Sequence, residues 1–117
     1  MHEVSMAGGI LRMVEEAAGR EHFQRVSHLR LEIGALAGVE PQALRFALTA
    51  MMPCTCLEGG EITIDEIPGT ARCLHCAASV EIQSYLEPCP RCGSFTLQAT
   101  GGFEVRIVDL VVFDDPL

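Results

Sequence analysis

Between Glu3 and about Arg20 the apolar residues Val4, Met6, Ala7, Ile10, Leu11, Met13, Val14, Ala17 and Ala18 recur with the period of an α-helix and fall on one half of its wheel. Ser5, Gly8, Gly9, Arg12, Glu15 and Glu16 fall on the other half. The spacing predicts an amphipathic helix with weakly held first turns, because a glycine inside a helix costs about 1 kcal/mol relative to alanine. From about Gln24 to Ile33 the period changes: Leu29, Leu31 and Ile33 alternate with His28, Arg30 and Glu32, as in a strand with one buried face. That reading leaves His22 and His28 as surface residues. After a loop over Gly34 to Val39, Pro41 suits the first position of a second helix. Ala43, Leu44, Phe46, Ala47, Leu48, Met51 and Met52 carry it to Pro53 as the more apolar and more buried of the two. Ile62 and Ile64 alternate with Thr63 and Asp65 in a second strand, Glu61 to Ile67, which Pro68-Gly69 ends; Phe103 to Phe113, rich in Val, Ile and Phe, is a third.

Between the second and third strands stand Cys73-Leu74-His75-Cys76 and Cys89-Pro90-Arg91-Cys92-Gly93, separated by Ala77 to Pro88. Each Cys-x-x-Cys pair can wrap in a tight turn and present two sulfurs to one metal, so together they supply the four ligands of a tetrahedral zinc ion. Gly93 after the second pair is free to adopt positive φ, whereas Ala77 after the first is not, so the second turn is expected to be the more regular. Four protein ligands leave no open position for substrate or water, which makes a structural zinc the reading adopted. Sulfur ligands alone do not exclude iron. A disulfide framework is the alternative for six cysteines in a small secreted domain, but no apolar leader run precedes the first helix, and we expect a cytoplasmic protein with reduced thiols. Short strands are expected at Ser79 to Tyr85 and Phe95 to Ala99. The third long strand must pair with the two that precede the cysteine module. The expectation is therefore an α+β fold in which residues 1–69 and 102–117 form a discontinuous domain of three strands and two helices, and residues 70–101 form an inserted zinc-ribbon domain.

Charge narrows the partners. Lys+Arg number 8 against 16 Asp+Glu, a formal net charge of -8 in 117 residues, so a nucleic-acid role is excluded for want of cations to meet phosphate. No apolar run approaches the roughly 20 residues a membrane helix needs. Cys54-Thr55-Cys56, after the second helix, could be a soft metal site, a redox pair or neither, and no further ligand stands beside it in sequence. No nucleophile–base pair and no phosphate-cradling glycine loop occurs, and an enzyme is not expected.

With the ribbon set aside as structural, the remaining candidate chemistry is the chain start, Met1-His2-Glu3. A methionine followed by a residue as large as histidine is expected to be retained. A free α-amine, the intervening backbone amides and the His2 ring can close chelate rings in one plane, a geometry that Ni(II) or Cu(II) favours and zinc does not. Taken alone, the pattern does not separate a ligand from an accidental histidine at the second position.

Over nearly its full length the chain resembles the hydrogenase nickel-incorporation family, HypA/HybF. The resemblance is carried by Met1-His2-Glu3-Val4-Ser5, Gly34-Ala35-Leu36, Val39-Glu40-Pro41, Leu44-Arg45-Phe46, the two cysteine pairs, and Gly102-Phe103-Glu104-Val105-Arg106-Ile107. It implies a nickel metallochaperone: Ni(II) held by the Met1 amine, the backbone amides of His2 and Glu3 and the His2 ring, and structural Zn(II) at Cys73, Cys76, Cys89 and Cys92. It also implies delivery to a [NiFe]-hydrogenase large subunit with a GTPase nickel-insertion partner. Whether a urease is served, and whether the chain forms a homodimer, stay open. Two departures from the family pattern are Cys54-Thr55-Cys56 and Ala77. The rival class is a zinc-ribbon interaction module with no nickel role.

Overall fold

The computed structural model describes residues 2–113, so Met1 and the terminal residues 114–117 lie outside the description. Helix α1 covers Glu3–Glu21 and strand β1 Val26–Gly34; helix α2 covers Pro41–Met51 and strand β2 Glu61–Ile67. Three short strands follow, β3 (Gly69–Cys73), β4 (Ser79–Ile82) and β5 (Leu97–Gly101), and β6 (Val105–Val112) closes the chain. Two three-stranded sheets result, ordered β2-β1-β6 and β4-β3-β5. The α+β class, the two helices and the three-strand arrangement expected from periodicity are present. By contact, the chain divides into two compact units: one takes the residues up to Leu31, Val39–Asp65 and those from Arg106 on, the other Glu32–Gly38 and Glu66–Val105.

In the first unit the helical and strand periods select the buried side chains Ala7, Ile10, Leu11, Val14 and Ala18 on α1, Leu44, Ala47 and Leu48 on α2, and Leu29 and Leu31 on β1; Val26, out of phase with that alternation, is buried as well. Burial of this apolar area is what stabilises the unit, at roughly 25 cal/mol per Å². Four residues assigned to apolar faces point outward instead, Ala43 among them. Val4 (59%), Met13 (57%) and Phe46 (77%) are the large ones that remain exposed. Glu40 caps α2, its side chain accepting the Ala43 N–H at 2.7 Å, and Pro41 occupies the first helical position, where no N–H is needed. Arg45 on α2 donates to the Ile62 carbonyl of β2 at 2.6 Å, and Glu15 on α1 accepts the Cys56 N–H at 2.8 Å.

The second unit has a small core: Leu36, Ala71, Cys73, Val80, Ile82 and Cys89 are buried, with Ala78, Leu97 and Ala99 packed against them. β3 is central and antiparallel to both neighbours, with Ala71 opposite Val80 on one side and Ala99 on the other. Gly69, Ala71 and Cys73 face inward and Thr70 and Arg72 outward, an alternation in a run too short and too small-sided to announce a strand from sequence. β4 ends at Ile82 rather than running to Tyr85, and β5 begins at Leu97 rather than at Phe95. At the base of the unit the backbone approaches itself at three glycines. A Cβ on Gly34 would lie 2.1 Å from the Gly102 carbonyl oxygen, and one on Gly102, whose φ is +86°, would lie 2.6 Å from the Gly69 Cα. The Leu36 N–H to Gly102 carbonyl bond, 2.8 Å, and the Gly34 N–H to Glu104 carbonyl bond, 2.8 Å, depend on this closeness.

The contrast between these glycines and those of α1 is testable. Gly102→Ala is expected to lower stability by about 3 kcal/mol or more, because backbone must move. Gly9→Ala, with nothing within 4 Å of the added carbon, is expected to raise it by about 1 kcal/mol. Urea denaturation followed by far-ultraviolet circular dichroism measures both.

Candidate metal centres

β3 delivers Cys73 into the core of the second unit, and the turn after it brings Cys76 back over the same point; Cys73 and Cys89 are buried, Cys76 and Cys92 exposed. The four Sγ atoms all lie within 4.8 Å of one another. Cys73 Sγ is 3.6 Å from Cys92 Sγ, and Cys76 Sγ is 3.8 Å from Cys89 Sγ. Zinc–sulfur bonds of about 2.3 Å in a tetrahedron place sulfurs about 3.8 Å apart, so the set fits zinc as it stands.

The two turns are closed by the same backbone bonds. Cys73 N–H donates to the Ala78 carbonyl at 2.9 Å and Cys89 N–H to that of Ser94 at 2.7 Å; Ala77 N–H donates to the Cys73 carbonyl at 2.9 Å and Gly93 N–H to that of Cys89 at 2.8 Å. Both closing residues are left-handed, Gly93 at φ +80° and Ala77 at φ +63°. The expected difference in regularity is therefore absent. The first turn reaches the same geometry as the second, with the strain of a β-carbon in the left-handed region at Ala77.

Backbone N–H groups prepare the sulfurs for ionisation. Cys76 N–H points at Cys73 Sγ and Arg91 N–H at Cys89 Sγ, both at 3.4 Å. The Cys76 N–H, and behind it that of His75, outweigh burial and draw the Cys73 thiol down to about 6. Cys92 goes the other way. The Ser94 N–H favours its thiolate, but desolvation and the neighbouring sulfurs Cys73, Cys89 and Cys76 push it up to about 12. Four sulfurs this close repel one another as anions, and a divalent cation among them removes that conflict.

At the chain start, His2 is the residue preceding α1, at φ −81° and ψ 1°, and its side chain makes no capping bond. The first backbone helical bond runs from Met6 N–H to the His2 carbonyl, 2.9 Å. The amides ahead of Met6 have no carbonyl four residues earlier within the helix. Glu3 is buried, and its Oε2 accepts the Glu40 N–H at 3.1 Å. The positive charge at the chain start and then the Glu40 N–H hold its carboxyl down to about 2. No residue pattern announces the contact between Glu3 and Glu40, and Pro41 marks only the start of α2. Met1, the remaining expected ligand, lies outside the described residues.

His22 ends α1 in the left-handed conformation, and His28 bonds Thr63 through Nε2 at 2.7 Å. Cys54 and Cys56 have their N–H groups held by the Glu58 and Glu15 carboxylates at 2.7 and 2.8 Å. Burial and the Glu15 carboxylate push the Cys56 thiol up to about 11. Among the described residues, the only group of three or more His, Cys, Asp or Glu side chains placed to share a metal is the four-cysteine set.

Fold and site thus define a metal-binding α+β protein with a four-cysteine centre in its smaller unit. Residues 1–112 match the family described as hydrogenase/urease nickel incorporation, metallochaperone, hypA, and the chain belongs to that family. Its relatives include the hydrogenase maturation factors HypA of Cupriavidus necator, 54% identical over 114 residues covering 97% of this chain and 96% of the relative, and of Polaromonas naphthalenivorans, 51% identical over 115 residues covering 98% and 100%. The solution structure of the Ni metallochaperone HypA from Helicobacter pylori superimposes with a TM-score of 0.66 at 18% identity, covering 98% of this chain and 100% of that one, which establishes likeness of fold. The family is one of metallochaperones for hydrogenase maturation, not of enzymes. Among the described residues no helix is long and apolar enough to cross a membrane.

Two outcomes follow from the cysteine centre. Stripping metal with a chelator is expected to unfold the second unit, whose core contains two of the ligands, and loss of the β3–β4 and β3–β5 amide protection in hydrogen exchange is the measurement. Ala77→Gly is expected to stabilise the metal-loaded protein by about 0.5–1 kcal/mol by relieving the left-handed alanine, read from thermal unfolding in the presence of metal.

Proposed function

We propose that this protein is a nickel carrier that binds Ni(II) at the start of its chain and delivers it during [NiFe]-hydrogenase maturation, while Zn(II) at Cys73, Cys76, Cys89 and Cys92 fixes the ribbon. The division of labour follows the two domains expected from sequence, residues 1–69 and 102–117 for nickel and 70–101 for zinc. The nickel ligands in this reading are the Met1 amine, the amides of His2 and Glu3 and the His2 imidazole. The observation that supports it best is the start of α1: the imidazole is not used as a cap, and Met6 makes the first helical bond, so ionising the Glu3 amide breaks no bond of the helix ladder. Zinc, bound by four thiolates and without an open position, gives shape and leaves the cargo to nitrogen donors. The recipients are the hydrogenase large subunit, with a GTPase partner supplying the nucleotide chemistry, in the cytoplasm.

A carrier site must also let go. Amine and imidazole donors compete with protons, and amide donors must lose theirs, so nickel binding releases protons and weakens as pH falls. Thiolates clamped by four bonds to one zinc resist the same change. Calorimetric titration of untagged protein near neutrality and again about two pH units lower is expected to show nickel affinity falling by more than tenfold with zinc retained. His2→Ala is expected to lose nickel while keeping zinc and fold. Undiminished nickel binding in that variant would leave the zinc-ribbon interaction module as the better reading.

A further inference from the structure

Cys54-Thr55-Cys56 is one of the two places where the chain departs from the family pattern, and neither thiol belongs to the four-sulfur set. The loop that carries it, from Met52 to Gly60, is a run of tight turns. Thr55 N–H donates to the Met52 carbonyl at 3.0 Å, Glu58 N–H to that of Thr55 at 3.1 Å, and Gly60 N–H to that of Leu57 at 2.9 Å. The Leu57 side chain is fully buried and anchors the loop. Cys54 turns the chain in the left-handed conformation, at φ +67°. Residues two apart are separated by at most about 7 Å at Cα, and by less in a turn, so the pair lies within the span of a disulfide. The two thiols differ in setting. Cys54 is exposed, whereas Cys56 is half-buried and lines an open cavity of about 440 Å³ with Arg25, Thr55, Glu58 and Gly59. Burial and the neighbouring Glu15 carboxylate keep the proton on the Cys56 sulfur, and the same carboxylate accepts the Cys56 N–H. Cys56 is thus held in place as a thiol beside a space that admits a small molecule, and Cys54 stands at the surface to meet one.

We propose that Cys54 and Cys56 form a thiol–disulfide exchange site for small disulfides of the glutathione or cystine class. The Cys54 thiolate attacks one sulfur of the small disulfide: a bond forms to Cys54 Sγ, the sulfur–sulfur bond of the reagent breaks, and one small thiol leaves with the electron pair. Cys56 then gives its proton to water and attacks Cys54 Sγ, expelling the second small thiol and closing the Cys54–Cys56 bond. Two cysteines are oxidised and one disulfide is reduced to two thiols; the reverse sequence restores the dithiol. Cys54 enters first because its sulfur is exposed, and Cys56, protonated beside Glu15, acts as the resolving thiol. Closure acts on a residue that two elements hold, since Glu15 lies on α1 and the Cys56 carbonyl accepts the Val26 N–H at 2.8 Å where β1 begins. The site is independent of where nickel binds.

The test uses full-length, zinc-loaded protein incubated with oxidised glutathione. Intact mass is measured before and after the remaining thiols are blocked with N-ethylmaleimide in denaturant, and proteolytic fragments locate the blocked cysteines. Expected is a product about 2 Da lighter than the dithiol, with Cys54 and Cys56 unblocked, zinc retained, and the starting mass restored by dithiothreitol. Cys56→Ser is expected to halt as a mixed disulfide, heavier by one glutathione at Cys54. Cys54→Ser is expected to react about tenfold more slowly than the parent protein, because the remaining thiol keeps its proton. The fragments of the parent protein decide the matter if either serine variant does not fold. A parent protein that stops at the mixed disulfide, a Cys54→Ser variant that reacts as fast as the parent, or oxidation of the zinc cysteines ahead of this pair would each overturn the proposal.

Discussion

Four sulfur atoms held within bonding distance of one point are the constraint on which the second unit depends. Its apolar core is small, and two of its buried members, Cys73 and Cys89, are themselves ligands. A core of this size does not offset the entropy of ordering its loops, which is why small units of this kind recruit a metal. The backbone is shaped for that ion. Paired turns with the same hydrogen bonds aim N–H groups at sulfur, and the left-handed residue that closes each turn is tolerated even where it is alanine. Packing and the four-sulfur set share residues here, since Cys73 and Cys89 belong to both.

The first unit is built on a different balance. Its core is ordinary aliphatic burial from α1, α2 and β1. The polar bonds at the edges of that core have an arrangement of their own: α1 presents one carboxylate to the N–H before α2 and another to the N–H of the loop after it, Glu3 to Glu40 and Glu15 to Cys56. The residue that opens the second helix and the loop that follows it are both held to the first. Any ligand bound where α1 begins therefore acts on a helix that is tied to another helix.

Much of this was legible in the sequence because the signals were periodic or punctuated. The 3.6-residue recurrence of α1, the alternation in β1 and β2, Pro41 at the start of α2 and the cysteine spacing each have one dominant physical cause. What was not legible depended on proximity between segments distant in the chain. β3 carries Ala71 and Cys73 inward beneath strands supplied by later residues, and nothing in Gly69 to Cys73 alone demands that. Phe46 falls within the apolar run of α2, yet it lies exposed while Leu44, Ala47 and Leu48 are buried, a choice among apolar residues that only the packed structure makes. The equal closure of both cysteine turns followed from backbone hydrogen bonding, which overrode the local reluctance of Ala77. The Glu3–Glu40 bond pairs a side chain with a main-chain donor, and sequence patterns do not encode main-chain donors.

The segment Glu32–Gly38 belongs with the ribbon although a long stretch of chain separates the two. It supplies Leu36 to the small core and Gly34 to the backbone crossing with Gly102, where no side chain fits. The ribbon is thus not a detachable cassette. A contiguous fragment cut out at the cysteine module would carry all four sulfurs yet lack one wall of its own interior, and transplanting the module to another scaffold would require bringing that distant loop along as a second piece.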